Sequence, residues 1–222
     1  MKEYRISGFA GVKDEKGRLF FGGSQDWYGE KWKRMAGCAS VAAANLAAFY
    51  GLDWSADTPG PDRHLEKGYR PGKKEELVIY TKNEYLSLME RMFALMRPGL
   101  LGFPFFRRFR RRFIAYAARN GVHLEGKSFV RWKDISQPLA FITEALAAND
   151  PVVMLILRHK SPKLKHLTWH WMTITGCSSE DRTLMISNYG NEEQIDAAVL
   201  FEPSFSNWVK LLSFHPEGKE QE

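Results

Sequence analysis

One cysteine in this sequence stands where a reactive thiol would be expected. Cys38 follows Gly37 and opens an alanine-rich stretch that closes at Gly51. Alanine and leucine are strong helix formers, and glycine is common just beyond a helix end, so the stretch predicts a buried helix with the thiol at its start. Unpaired backbone N–H groups and the helix dipole favour the thiolate at such a position. Taken alone, a single cysteine in an apolar stretch is more often a structural core residue.

A histidine and an asparagine later in the chain could complete the chemistry of a nucleophilic thiol. His170 stands at the start of a strand-like run, and Asn188 ends the partner run after a hairpin turn. A short turn returns the chain close to where it began, which would bring Asn188 beside His170. The amide would then hold one ring nitrogen and leave the other facing a thiol. Such an imidazole takes the thiol proton and later protonates a leaving amine.

Gln25 is the candidate for stabilising the oxyanion that forms on an attacked carbonyl. It lies in a loop that combines glycine, amide and aromatic residues and leads towards the cysteine helix. The backbone N–H of Cys38 would supply one hydrogen bond to the oxyanion, and the side-chain amide of Gln25 would supply the second. Asp26 and Lys31 are nearby competitors for part of this role.

The elements that must position these residues follow a simple order along the chain. Two short strands come first, followed by the cysteine helix, a helical middle and then a run of strands. The pattern predicts strands at 3–11, 17–22, 152–157, 168–177 and 184–188, helices at 81–96, 106–120, 139–147 and 206–212, and a long irregular connection at 52–72. Helices early and antiparallel strands late predict an α+β fold in which helix and sheet pack face to face.

A run of five arginines near the start of the predicted helix at 106–120 supplies much of the formal net charge of +6. They are interleaved with phenylalanines at helical spacing, as in a solvated helix face whose aromatic side points inward. A nucleic-acid-binding patch is the alternative interpretation. The rest of the chain has no aromatic RNA platform and no recognisable reading helix, so we expect no nucleic-acid partner. The five are Arg107, Arg108, Arg110, Arg111 and Arg112.

Composition and cysteine usage restrict the remaining functional classes. Hydrophobic residues make up 44% and charged residues 26% of the 222-residue chain, which is typical of a globular protein. No apolar stretch reaches the ~18–20 residues of a membrane span, and the charged N-terminus does not resemble a signal peptide. Cys38 and Cys177 do not make a disulfide framework, so we expect a reducing, cytoplasmic setting with Cys177 in the core. Neither a zinc-ligand spacing nor a phosphate-binding glycine loop occurs, and no metal or cofactor is predicted.

Three short segments in this order resemble the papain-like cysteine peptidase superfamily. Gly-Cys opens a small-residue helix that continues as Ala-Ala-Ala-Asn-Leu, the histidine is followed by Trp-Met-Thr-Ile-Thr-Gly, and the asparagine is followed by an aromatic residue and glycine. Within the superfamily, the compact bacterial branch akin to bacteriocin-maturation peptidases is the most similar. The resemblance implies a single papain-like domain over 1–222, with a central cysteine-bearing helix packed on an antiparallel sheet and a helical insertion at about 80–120.

Carried over to this sequence, the resemblance gives each candidate residue a role. Cys38 would be the nucleophile and His170 the base and acid. Asn188 would orient the ring, and Gln25 would be the oxyanion-hole amide. Asp196 could replace Asn188, since an acid serves in some relatives.

The expected reaction is hydrolysis of a peptide or amide bond through a thiol acyl-enzyme, with a peptide or protein as the substrate. Two alternatives stay open. The same triad could serve an amidase acting on cell-wall peptides, a deamidase or a transglutaminase-like acyl transferase. A catalytically inactive binding module that kept the fold is the second alternative.

Overall fold

The computed structural model describes residues 3–52, 65–70, 73–178 and 180–218. Within these ranges the chain is a mixed α+β structure with one seven-stranded and one four-stranded sheet. The strands are β1 (Glu3–Arg5), β2 (Phe9–Lys13), β3 (Leu19–Phe21), β4 (Leu65–Arg70), β5 (Lys73–Thr81), β6 (Leu124–Phe129), β7 (Val152–Arg158), β8 (His170–Ser178), β9 (Thr183–Asn188), β10 (Asn191–Asp196) and β11 (Trp208–Pro216). The α-helices are α1 (Lys31–Ala36), α2 (Cys38–Phe49), α3 (Lys82–Met96), α4 (Phe106–Arg119), α5 (Ser136–Ala147) and α6 (Ala197–Leu200).

The larger sheet is antiparallel, and its central strands β7, β8 and β9 are buried on both faces. Its strand order is β10-β9-β8-β7-β11-β6, with β1 paired to β8. On β7, Val153 and Leu155 belong to the core that contains α2, α3 and α4, whereas Met154 and Ile156 belong to a second core with α5. Successive side chains of a strand point to opposite faces, so a strand covered on both sides is apolar throughout. The prediction of an α+β fold with an antiparallel sheet is confirmed.

The smaller sheet joins the start of the chain to the segment that precedes α3. Its order is β3-β2-β5-β4, and β2 runs parallel to β5 while the other two pairs are antiparallel. The predicted first strand at 3–11 is in fact two strands in different sheets. The chain turns between them at Gly8, whose φ of 79° lies in the left-handed region that favours glycine.

The cysteine helix begins at Cys38, as predicted, and is buried along almost its whole length. Its alanines are small enough for neighbours to approach on several sides, and α2 contacts β8 of the larger sheet, β2 of the smaller sheet and α3. A helix that is apolar all round belongs in the interior of a domain. Its thiol is therefore held inside the fold, next to the first residues of β8.

Asn45 is the polar residue that ties this helix to its surroundings. Its Oδ1 accepts hydrogen bonds from the Tyr85 hydroxyl at 2.6 Å and from the Gly23 N–H at 3.1 Å. Its Nδ2 donates to Thr173 Oγ1 at 3.2 Å and to Ser187 Oγ at 3.4 Å. A fully paired carboxamide is tolerated in a core, whereas an unpaired one is costly. Asn45 therefore links α2 to α3, to the loop after β3 and to strands β8 and β9.

The helical middle of the chain follows the sequence prediction closely. Thr81 caps α3 through a capping box with Glu84. Phe106, Phe109 and Phe113 of α4 are buried. Of the five arginines at 107–112, four are exposed and Arg112 is half-buried. The aromatic face of α4 packs on β8, because the Phe109 ring stacks on Trp171 with centroids 4.5 Å apart.

Two predictions about the connections and the C-terminal segment were wrong. The predicted irregular connection at 52–72 contains β4 at 65–70, and its remaining residues from 53 onward lie outside the described ranges. The predicted helix at 206–212 is instead the start of β11, which lies between β7 and β6. Leu211 faces one core and Leu212 the other. An apolar run that is buried on both faces shows no period of two, which is why the sequence did not reveal a strand.

Among the helices of the described ranges, none combines the length and the apolar character that a membrane span needs.

We expect Asn45→Ala to lower the free energy of unfolding by about 3 kcal/mol, since each buried partner left unpaired costs about 1–3 kcal/mol. Asn83→Ala is the matched control, because Asn83 is exposed on α3 and its change should stay within about 0.5 kcal/mol. Urea denaturation followed by circular dichroism measures both variants. A loss at Asn45 no larger than the loss at Asn83 would show that the network does not hold the fold together.

Candidate active site

The position of Cys38 is set by the connection between α1 and α2, which consists of a single residue. Gly37 ends α1 and immediately precedes α2. A Cβ atom at Gly37 would come within 2.5 Å of the Tyr28 ring and 2.6 Å of the Lys33 carbonyl oxygen, so only glycine fits there without displacing backbone. The thiol thus occupies the first position of α2, where the backbone N–H groups of a helix start have no partner within the helix.

His170 and Asn188 are brought together by the neighbouring strands β8 and β9. His170 is the first residue of β8, and Asn188 is the last residue of β9. The ring Nε2 of His170 lies 2.8 Å from Oδ1 of Asn188. The nitrogen Nδ2 of the same amide donates to both carboxylate oxygens of Glu193, at 3.1 and 3.2 Å. The predicted proximity of Asn188 to His170 is therefore observed.

His170 is preceded, and Asn188 is followed, by a residue in the left-handed backbone region. Trp169, just before His170, has a φ of 57°, and Tyr189, just after Asn188, has a φ of 48°. Left-handed φ values are uncommon for residues other than glycine, and such residues cluster at functional sites. Tyr189 and Gly190 have positive φ and form a two-residue turn of the type that suits a tight hairpin between β9 and β10.

One cavity is lined by all four residues that the sequence singled out. Cys38, His170, Asn188 and Gln25 border it, together with Tyr189. The Trp171 backbone N–H faces the Cys38 thiol, which sets the start of β8 against the start of α2. The arrangement thus collects a thiol, an imidazole and two amides around one space.

Gln25 begins a short 3-10 helix over Gln25–Trp27 and points into this cavity. Its Nε2 donates to the Arg34 carbonyl oxygen at 2.7 Å and to the Tyr189 hydroxyl at 3.3 Å. Its Oε1 is buried and has no hydrogen-bond partner among the described residues. The Arg34 carbonyl can only accept, so it fixes the amide orientation with nitrogen on that side. The competitors Asp26 and Lys31 are exposed and do not line the cavity.

Asp196, the alternative to Asn188, lies at the opposite end of the β9–β10 hairpin. Its register partner is Thr183, whereas Asn188 pairs with Asn191 beside the turn. The Asp196 carboxylate is the N-cap of α6, accepting from the Ala198 N–H at 2.7 Å. The structure therefore places Asn188, and not Asp196, on the ring of His170.

Tyr189 is a site residue to which the sequence analysis gave no role. Its ring stacks on His170 with centroids 5.2 Å apart and planes inclined by 13°. Its hydroxyl also receives the hydrogen bond from Gln25. Tyr189 therefore connects the imidazole to the candidate oxyanion amide. The sequence signal was the aromatic residue directly after Asn188, but its stacking depends on the turn geometry.

Burial dominates the electrostatics of the site. It raises the pKa of Cys38, although the backbone N–H groups of Trp171, Ala39 and Cys38 itself act in the opposite direction. The predicted preference for the thiolate is thus outweighed by desolvation. Burial likewise lowers the pKa of His170, while the Asn188 hydrogen bond and the Glu193 charge raise it. Both shifts favour a neutral thiol beside a neutral imidazole.

A loop between α3 and α4 lies beside the thiol. The indole Nε1 of Trp169 donates to the Leu101 carbonyl oxygen at 2.6 Å, and that of Trp171 donates to the Phe103 carbonyl oxygen at 2.6 Å. Phe103 lines a second, mostly apolar cavity that also borders Cys38. Cys38 is only 6% exposed, and Leu101 at the loop tip is 80% exposed. The two indoles thus hold an apolar loop next to the cavity that borders the thiol.

Within the described ranges, no group of three or more His, Cys, Asp or Glu side chains is arranged to hold a metal ion. No protein-family model and no curated protein sequence matches this chain.

We expect Trp169→Phe to raise the rate at which iodoacetamide alkylates Cys38 by about two- to tenfold, which is the effect of losing one hydrogen bond of about 0.5–1.5 kcal/mol. The phenyl ring keeps the apolar contact, so the change removes mainly the bond to Leu101. Trp208→Phe is the control, because its indole donates to the Phe205 carbonyl at 3.1 Å and it does not line either cavity at Cys38. Equal rates in both variants would contradict a covering role for the loop.

Proposed function

We propose that this protein is a cysteine-dependent hydrolase of peptide or amide bonds, similar in architecture to papain-like peptidases. The observation that carries the proposal is the 2.8 Å contact between His170 Nε2 and Asn188 Oδ1, at the edge of a cavity that Cys38 also lines. An oriented imidazole beside a thiol is the minimum that a cysteine nucleophile requires.

The first half of the reaction forms the acyl-enzyme. The Cys38 sulfur attacks the substrate carbonyl carbon while its proton passes to Nδ1 of His170, and the carbonyl π electrons move onto oxygen. The Cys38 backbone N–H stabilises that oxyanion. Gln25 is the second donor once the Nε2 hydrogen that donates to the Tyr189 hydroxyl at 3.3 Å turns to the oxyanion, while its other hydrogen stays on the Arg34 carbonyl. The carbon–nitrogen bond then breaks, and His170 returns the proton to the leaving amine.

The second half regenerates the thiol. A water molecule gives a proton to His170 and adds to the thioester carbonyl, and the carbon–sulfur bond breaks to release the carboxylic acid. The proton on His170 returns to the Cys38 sulfur. Replacing water by an amine in this step gives the alternative, an acyl transferase on the same residues.

The resting pair is neutral in this proposal, because burial raises the pKa of Cys38 and lowers that of His170. A lowered histidine pKa keeps the ring unprotonated to lower pH, and the unprotonated ring is the form that acts as a base. Proton transfer then accompanies attack on the substrate instead of preceding it.

The surroundings of the thiol favour a peptide with an apolar side chain near the scissile bond. The second cavity beside Cys38 is lined by Phe103, Pro104, Leu155, Leu157, Trp169 and Trp171. This cavity is too small in the structure to hold even a water molecule, so an apolar substrate side chain would bury surface there only if the lining residues moved apart. The buried state of the thiol is the observation that favours the other candidate, an inactive binding module.

We expect a broad epoxide inhibitor of cysteine peptidases to label Cys38 and to leave Cys177 unlabelled. Cys177 is fully buried in β8, and burial raises its pKa to about 11. His170→Ala should slow the labelling of Cys38 by roughly 10²–10⁴-fold, the usual contribution of a general acid–base group. Peptide mapping by mass spectrometry identifies the labelled residue.

His123→Ala is the matched control for this experiment, because His123 is exposed and lines neither cavity that borders Cys38. It should label at the wild-type rate. If His170→Ala does not slow the labelling of Cys38, or if Cys177 is labelled preferentially, the proposed hydrolase is rejected. The inactive binding module is then the remaining candidate.

We expect Asn188→Ala to lower peptide turnover while the fold persists, because the ring of His170 loses its orienting partner. Asp196→Ala should leave turnover nearly unchanged and cost about 1 kcal/mol of stability through the lost cap of α6. Turnover and thermal unfolding of both variants distinguish the two residues. If Asp196→Ala abolishes turnover and Asn188→Ala does not, the assignment of Asn188 is wrong.

A further inference from the structure

Glu193 contacts the far side of the Asn188 amide, away from the imidazole. Its two carboxylate oxygens accept hydrogen bonds from Asn188 Nδ2 at 3.1 and 3.2 Å. The tight turn after Asn188 places Asn191 opposite it, and Glu193 follows two residues later on the same face of β10. A diagonal pair of this kind lies within reach of long side chains. The contact is thus a product of the hairpin register.

The acceptor-only chemistry of a carboxylate decides which way the amide points. An ionised carboxylate cannot donate, so it selects the NH₂ group of Asn188 and turns the amide oxygen towards His170. That oxygen can only accept, and Nε2 of His170 must therefore carry the hydrogen. In a neutral imidazole only one nitrogen is protonated, which leaves Nδ1 as the basic nitrogen.

We propose that Glu193 is a positioning residue whose carboxylate fixes the Asn188 amide and, through it, the Nε2–H tautomer of His170. The role rests on the proposed function, in which Nδ1 takes the thiol proton. With glutamine at position 193, the side-chain NH₂ could donate to the Asn188 oxygen instead. The Asn188 NH₂ group could then face the ring, and the opposite tautomer would become accessible.

The effect of Glu193 on the pKa of His170 can be distinguished from the effects of the other groups around the ring. The charged or titratable groups around the ring are Cys38 of α2, Tyr189 of the turn, Glu193 of β10 and His166 of the short helix at 162–167. The charge of Glu193 raises the pKa of His170 and that of His166 lowers it. Loss of the Glu193 charge should therefore lower the pKa of His170 further, so that the ring protonates at a lower pH than in the wild type.

The test is the imidazole ¹⁵N spectrum of the full chain at about pH 8, where a histidine of ordinary or lowered pKa is neutral. The His170 signals are assigned by their loss in His170→Gln. We expect the wild type to show the Nε2–H tautomer and Glu193→Gln to show a substantial population of the Nδ1–H tautomer. Glu192→Gln is the matched control, because Glu192 is the adjacent carboxylate on the other face of β10 and pairs with Arg5 at 2.8 Å.

A compensating change makes the test specific. In the double variant Asn188→Asp with Glu193→Gln, the side chain at position 188 can only accept, so the Nε2–H tautomer should return. Glu193→Ala is a second single variant that removes the carboxylate without supplying a competing donor, and it should also weaken the tautomer preference. Wild-type tautomer populations in both Glu193→Gln and Glu193→Ala would overturn the proposal.

The spectrum needs no substrate, so this outcome is independent of the proposed function. A chain that fails to label at Cys38 but loses its tautomer preference in Glu193→Gln would retain the positioning role and lose the enzymatic one. If Cys38 is labelled but the tautomer of His170 is unchanged in the Glu193 variants, the enzymatic role is retained and the positioning role of Glu193 is rejected.

Discussion

The buried carboxamide of Asn45 sets the register on which the whole site depends. Asn45 lies seven residues after Cys38, about two helical turns, and so on the same face of α2. It bonds to Thr173 and Ser187, which face each other across β8 and β9. Ser187 directly precedes Asn188 in the chain. Because these bonds are directional, any slip of α2 along the sheet would break them together, and the thiol would move relative to the histidine.

The same burial that fixes this geometry changes the chemistry that the site can perform. A thiol and an imidazole in an apolar interior both favour their neutral forms, and desolvation here exceeds the opposing effect of the N–H groups at the helix start. A pre-formed ion pair would need water or a polar substrate near Cys38. The apolar loop held by Trp169 and Trp171 lies beside Cys38 at the second cavity.

The sequence predicted the parts of the site that depend on local signals. A local sequence pattern indicated each of three elements, and the structure contains all of them: the helix that begins at Cys38, the strand that begins at His170 and the neighbouring strand that ends at Asn188. It could not decide between Asn188 and Asp196, because that choice depends on which end of a hairpin meets β8. The contacts of Tyr189 and Glu193 depend on the register of β9 and β10, and the sequence analysis had not predicted β10. The segment at the start of β11 was predicted as a helix because a strand buried on both faces shows no alternation of apolar and polar residues.

The helical segment from α3 to α4 forms one wall of the site, which no pattern in the sequence had predicted. The Tyr28 hydroxyl donates to the Met89 carbonyl oxygen, which ties the loop before Cys38 to α3. Phe106 and Phe109 stack on Trp171, the residue after His170, and that indole donates to the Phe103 carbonyl. The arginines of α4 lie on the opposite face of this segment, which is exposed to solvent. The segment thus supports the thiol and the histidine strand by packing, so its removal would uncover both.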